Sequence, residues 1–344
     1  MRLMRTALAV TSILALGLTA CTTSDPGDAD ADEADVAADG DAAAEEPGEP
    51  SDEVPEGDGE LIYLVSKGFQ HRFWQAVKEG AEEAGDEFNY KIQFVGPDDE
   101  TKVTQQLDQL KSALDAQPIA IGLAALDTDA AEPVLQQIED AEIPLVAFDS
   151  GVDSDLPVTT VQTDNYAAAE EAAKHAIELV GDEGIIGQVC HDQTSQTGKE
   201  RCEGFAEYIE ENAPGIEMVD PQYAHEVGLA ANTAKAMIQA NPEIDAIYGT
   251  NEASASGVVQ GVDESGADVI VIGFDSGKTQ LEAIEKGKMA GAVTQSPVKM
   301  GYQTVVAAIQ AANGIEQPKI IDSGFAWYDE SNMDDEEIAA NLYE

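Results

Sequence analysis

The chain has 344 residues, 43% of them hydrophobic, with 68 acidic against 17 basic side chains and a formal net charge of −51 at pH 7. That balance excludes a nucleic-acid partner, whose phosphates would be repelled, and disfavours anionic ligands unless one site is locally basic. The 284 residues after Glu60 suit two domains of ordinary size.

Arg2 and Arg5 precede an apolar stretch, residues 7–18, too short to span a bilayer as a stable anchor. It ends in Leu18-Thr19-Ala20-Cys21, which resembles the bacterial lipobox, where cleavage precedes a Cys that becomes diacylated. Residues 1–21 are therefore expected to be a lipoprotein signal with Cys21 as the lipidated residue; the alternative is a plain signal peptide with an incidental Cys. Residues 22–60 contain sixteen Asp or Glu and no Lys or Arg, which predicts an extended, disordered acidic tether. Asp28, Asp30 and Asp32 alternate like the start of a calcium loop, but Glu33 stands where the turn needs Gly, so no metal is expected there. Setting aside the sixteen tether acids and the two leader arginines leaves 52 acids against 15 bases, a net of −37. An acidic, Lys-poor surface suits a protein working in high salt, where screening removes self-repulsion. Such a protein should unfold more readily at low than at molar salt in a thermal melt, and equal stability would refute the idea.

Residues 61–66 read as a strand, followed by a helix with apolar positions Phe73, Val77, Ala81, Ala84 and Phe88 every three or four residues. Residues 91–96 are a strand and the next helix carries Val103, Leu107, Leu110 and Leu114. Pro118 ends it, and strands follow at 119–124, at 143–149 and at 158–163. The series then restarts with strands at 184–190, 216–222, 246–251, 269–275 and 290–295. Alternation of this kind predicts parallel sheets in two similar α/β lobes. Phe148-Asp149-Ser150-Gly151 recurs as Phe274-Asp275-Ser276-Gly277, each time closing the fourth strand of its set. An Asp there stands at the carboxyl edge of the sheet, where open α/β sheets bind ligands. Either Asp could instead cap a helix.

The rare side chains gather after strands. Beyond the leader the only arginines are Arg72 and Arg201, each following the first strand of its lobe, and His71, His191 and His225 also fall in such loops. Arg72 could simply balance neighbouring acids, and Phe73 lies on its helix's apolar stripe, whereas Trp74 is one position off it and suits stacking. The planar fork of Arg201 suits polyhydroxyl recognition. His175, within a helix, reads as surface. Enzyme motifs are weak. Residues 273–279 fall one residue short of a P-loop, nothing marks Ser195 as activated by His191-Asp192, and no His/Cys spacing resembles a zinc site. Cys190 and Cys202 are either bridged, as an oxidising compartment would favour, or two buried thiols.

Several markers in order then resemble the ribose/galactose-type periplasmic sugar-binding proteins of ABC transporters, the type I solute-binding fold. They are Ser66 with Phe73-Trp74; Phe148-Asp149; Thr163-Asp164-Asn165; Arg201 with Glu203-Gly204-Phe205; Thr250-Asn251-Glu252; Gly273-Phe274-Asp275; and Thr294-Gln295. The resemblance covers residues 61–344 and implies two Rossmann-like lobes with parallel sheets joined by a three-segment hinge, crossing near Thr163, after Gln295 and around Ser323. Residues 61–163 with 296–323 would form the first lobe, and 164–295 with 324–344 the second. It implies a substrate site of His71, Phe73, Trp74, Asp149, Arg201, Asn251, Asp275 and Gln295, with the two aromatics sandwiching the sugar ring. Ser150 stands where ribose binders carry Arg, and His225 where the family has an aromatic; both put ribose itself in doubt. The implied protein is a monomeric, extracytoplasmic lipoprotein that is not an enzyme, needs no cofactor, and hands a sugar or sugar alcohol to ABC permease subunits. The alternative is a sensor presenting a sugar or autoinducer-like molecule to a membrane signalling receptor.

Overall fold

The computed structural model describes residues 53–343 except Gln70. The leader, Cys21 and the tether as far as residue 52 lie outside the described residues. Residues 53–60 depart from the expected tether. The amides of Gly57 and Gly59 donate to the carbonyls of Phe88 and Asn89, both at 2.9 Å, Gln310 Nε2 donates to the Glu53 carbonyl, and Val54 packs on the core. Backbone bonds and one apolar side chain anchor this stretch, and composition registers neither.

In chain order the first elements are β1 (Leu61–Val65), α1 (Arg72–Glu87), β2 (Lys91–Val95), α2 (Val103–Asp115), β3 (Ala120–Leu123), α3 (Thr128–Asp140), β4 (Leu145–Phe148) and β5 (Thr159–Gln162). Then follow α4 (Asn165–Val180), β6 (Gly184–Cys190), α5 (Gln196–Asn212), β7 (Ile216–Met218), β8 (Gln222–Tyr223), α6 (Val227–Ala240), β9 (Ala246–Gly249), α7 (Glu252–Ser265), β10 (Ile270–Phe274), α8 (Lys278–Glu285) and β11 (Gly291–Gln295). The last are α9 (Pro297–Ala312), β12 (Ile320–Asp322), β13 (Phe325–Tyr328) and α10 (Glu336–Ala339). One sheet has the order β12-β5-β4-β3-β1-β2 and is parallel throughout. The other runs β13-β11-β10-β9-β6-β7, with β8 also on β6 and β13 antiparallel to β11. The fold is the two-lobed α/β class read from the sequence.

The residues between 216 and 222 do not form one strand. Pro221 has no amide to give a ladder, so pairing to β6 stops after Met218 and resumes at Gln222. Alternation along β1 sorts its side chains between layers: Ile62 and Leu64 meet α1 and α9, while Tyr63 and Val65 meet α2 and α3. In the second lobe Ile186, Tyr248, Ile272 and Phe274 pack under α4 and α5, and Val189, Ile247 and Val271 under α6 to α8.

The α1–α9 contact depends on two glycines. A Cβ on Gly80 would collide with the Val298 carbonyl oxygen, and one on Gly301 with that of Val77. Backbone atoms cannot step aside as a side chain end can. Gly301→Ala is expected to destabilise the fold by about 1–3 kcal/mol, read as a lower melting temperature; an unchanged melt would show that the helices can separate without cost.

Chain crossings between the sheets occur after β5, after β11 and between β12 and β13, and their residues meet. Thr163 Oγ1 donates to Gln295 Oε1 at 2.9 Å and lies 3.4 Å from Ser323 Oγ.

Candidate functional site

The carboxyl ends of both sheets face one closed, polar cavity between the lobes. From the first lobe it is lined by Lys67, His71, Phe73, Trp74, Glu100 and Asp149. From the second come His191, Thr197, Arg201, Asn251, Asp275 and Gln295. All eight residues expected from the sequence are therefore brought together. Lys67, Glu100, His191 and Thr197 join them; His191 is among the rare post-strand side chains noted in the sequence, whereas nothing in the sequence pattern marks the other three.

The two repeated aspartates are equivalent in backbone as well as in sequence. Asp149 has φ +57° and Asp275 +76°, a left-handed conformation uncommon outside glycine. Each donates its amide across to the neighbouring strand, Asp149 to the Val161 carbonyl at 2.9 Å and Asp275 to that of Val293 at 2.7 Å. Strain held in matching places in both lobes is characteristic of functional positions. Neither Asp caps the helix that follows it.

Their carboxylates differ. Asp275 Oδ1 accepts from Gln295 Nε2 at 2.7 Å and Oδ2 from the Glu252 amide at 2.9 Å, so it is held rigidly and linked through Gln295 to the hinge. Asp149 is 4% exposed, yet among the described residues no side chain or amide donates to its carboxylate. Burial first, then nearby Glu100 and Asp275, push it up to about 6, against the pull of Lys67 and Arg201. Its acceptor capacity is directed into the cavity.

Arg201, on the second turn of α5, is 3% exposed. Nε donates to Asn165 Oδ1 at 2.7 Å, Nη1 to the Thr250 carbonyl at 3.3 Å, and the guanidinium lies 3.8 Å above the Phe274 ring centre. The disulfide Cys190–Cys202 ties the end of β6 to this helix, with one half-cystine beside His191 and the other beside Arg201. Asn251 caps α7, its Oδ1 accepting from the Ser254 amide, which leaves its amide nitrogen for the cavity. Lys67 crosses from the first lobe to donate to Ser195 Oγ at 3.2 Å and Thr197 Oγ1 at 3.0 Å, 3.8 Å from Asp192. Gln106 supports that loop from below, donating to the carbonyls of Ser66 and Ala124.

Phe73 and Trp74 do not form a sandwich. Neighbouring helix positions point about 100° apart, and the two rings meet edge to face at 5.0 Å. Together they make one aromatic wall, with Trp74 Nε1 donating to Glu100 Oε1 at 2.8 Å. Burial alone would raise Glu100, but His71, Lys67 and this bond outweigh it and leave its pKa below the usual value. Burial lowers the His191 pKa and keeps the ring neutral, with Nδ1 on Thr250 Oγ1 at 2.8 Å. His225 lies outside this cavity, partly exposed beside Glu226. Ser150 is fully buried and does not line the cavity either; Lys67 supplies the first lobe's cation instead.

The enzyme-like motifs have structural roles. Ser195 is the N-cap of α5, donating to Asp192 and accepting from the Gly198 amide, with no bond to His191. In the 273–279 loop the Ser276 amide donates to Tyr343 and the Gly277 amide to Gln280, so neither is presented to a phosphate. Among the described residues no cluster of His, Cys, Asp and Glu fits a metal ion.

A two-lobed fold with a closed polar cleft defines a solute-binding class, and the chain belongs to the periplasmic binding protein domain family, whose profile matches residues 62–316. The chain is 24% identical over 251 residues to the ribose import binding protein of Bacillus subtilis, spanning 72% of this chain and 80% of that protein. It is 25% identical over 273 residues to the D-apiose import binding protein of Actinobacillus succinogenes, spanning 77% and 87%. Among solved structures, an ABC transporter solute-binding protein from Agrobacterium vitis with bound D-fucose superposes with a TM-score of 0.79 at 30% identity, covering 82% of this chain and all of that one.

Proposed function

We propose that this protein captures a monosaccharide or sugar alcohol between its lobes and delivers it to the permease subunits of an ABC importer, working as a monomer and without catalysis. The supporting observation is the cavity itself: acceptors from Asp149 and Asp275 face it from opposite lobes, Arg201 donates beside them, and an aromatic wall closes one side. Sugar hydroxyls both donate and accept, so ionised Asp and Arg bind them by charge-assisted bonds. Closure removes water, and a hydroxyl in the wrong place then leaves a buried group unpaired at about 1–3 kcal/mol. The same residues are proposed as the substrate site, and Cys21 as the lipid anchor that keeps the protein outside the cell membrane; a Cys21→Ser protein still found with membranes would sink the anchor.

The test is a thermal-shift screen over pentoses, hexoses, polyols and amino sugars. A cognate sugar should raise the melting temperature by linkage and be recovered unchanged. A screen without any hit removes the sugar reading, and turnover of a bound sugar removes the non-enzymatic one.

A further inference from the structure

The end of the chain returns to the cleft. After β13 it turns at Asp329, where the Met333 amide bonds back at 3.0 Å, forms α10, and runs against the strand ends of the second lobe. Thr294 Oγ1 donates to the Asn341 carbonyl at 2.9 Å, Leu342 packs into that lobe's core, and the Ser276 amide donates to the Tyr343 hydroxyl at 3.3 Å. The Tyr343 ring goes the other way. It is buried in the first lobe's core cluster and meets Phe73 edge to face at 6.1 Å. This departs from the assignment of the whole tail to the second lobe. One side chain links the residue after Asp275 to an aromatic of the cavity wall, without lining the cavity itself.

We propose that Tyr343 is a positioning residue for the sugar cavity, holding the Phe73 ring in register with the Asp275–Ser276 strand end. Aromatic pairs have preferred edge-to-face geometry, so the Tyr343 ring fixes the face that Phe73 turns to the ligand. Its hydroxyl holds the amide that follows the left-handed Asp275, and so fixes the direction of that carboxylate. Both contacts exist together only when the lobes are closed. Losing them acts on the dissociation rate more than on association.

The inference rests on the sugar reading, and the experiment separates the two. Full-length wild type, Tyr343→Phe and Tyr343→Ala are titrated with the sugar that gives the largest thermal shift in the wild type. Tyr343→Ala should raise Kd about tenfold through faster dissociation, and Tyr343→Phe, which keeps the ring, about threefold. The unliganded melting temperature should fall in Tyr343→Ala, which loses a buried ring, and stay near the wild-type value in Tyr343→Phe. Where Tyr343→Ala does not fold, Tyr343→Phe decides. If no sugar binds the wild type, the sugar reading fails and Trp74 reports instead. In a Trp327→Phe background it is the chain's one remaining Trp, edge-on to Phe73, so at about pH 5, where the unliganded lobes close, Tyr343→Ala should shift its emission and Tyr343→Phe should not. Wild-type affinity in the deciding variant, or unchanged Trp74 emission where no sugar binds, overturns the proposal.

Discussion

Arg201→Ala is expected to abolish ligand-induced stabilisation at sugar concentrations that saturate the wild type. The guanidinium has five donors; Nε uses its one on Asn165 and Nη1 one on the Thr250 carbonyl, with Nη1 also 3.9 Å from Asp275 Oδ2, which leaves three for the cavity. Two lost charge-assisted bonds at about 1.5–3 kcal/mol each correspond to a Kd raised by two to four powers of ten. The variant also strips Asp275 of its nearest cation, a second loss acting on the same cavity. Arg201→Lys should not rescue, because a single ammonium cannot lie flat over Phe274 and bond Asn165 and the cavity together. Asp275→Ala should match it from the acceptor side. Isothermal titration and thermal shift read both, with circular dichroism to show that each variant is folded. A full shift in either variant would remove that residue from the site.

The repeated Phe-Asp-Ser-Gly makes the two lobes and their facing carboxylates legible in the sequence, because strand-end placement is a property of linear order. The left-handed backbone at both aspartates is not legible there, since Asp carries no glycine-like signal for positive φ. Lys67 and Glu100 escape notice for a different reason. Lys and Glu are ordinary surface residues, and only their places after the first and second strands, the rule applied to Asp149, could single them out. Phe73 and Trp74 read as a pair in linear order, and helix geometry turns them into one wall. The short β12 and β13, of three and four residues, are set by pairing to β5 and β11 rather than by any apolar run of their own. Tyr343 lies 270 positions after Phe73 in the numbering of the chain, and contacts at that separation leave no local pattern.

Closure of the unliganded lobes is expected to depend on pH, because two carboxyl groups change environment when the cleft shuts. Asp149 rises from 3.8 to about 6 in the closed cleft, driven by burial and then by Glu100 and Asp275, with Lys67 and Arg201 opposing. Glu252, at the start of α7, rises from 4.5 to about 7, again by burial first and then Asp275 and Glu100, with His71 and the Arg72 amide opposing. A carboxyl whose pKa is raised on closure takes up a proton as the lobes meet. Closure is therefore unpenalised at acid pH. The penalty grows as pH climbs from 3.8 through about 6 for Asp149 and from 4.5 through about 7 for Glu252, and is constant above. The Asp149 difference alone corresponds to about 3 kcal/mol against closure at neutral pH. Small-angle scattering in high salt, which screens the surface charge, should find the unliganded protein more compact at about pH 5 than at about pH 8. Saturating sugar should make it compact at both, since hydroxyl donors offset the desolvation of Asp149. Asp149→Asn should lose its share of the pH dependence and keep the part due to Glu252. A radius of gyration unchanged with pH in the wild type, or an Asn variant as pH-sensitive as the wild type, would show that these carboxyls keep their water when the lobes close. If the expected trend holds, the buried acids serve two ends: they keep the unliganded cleft open at neutral pH and give the sugar the bonds that close it.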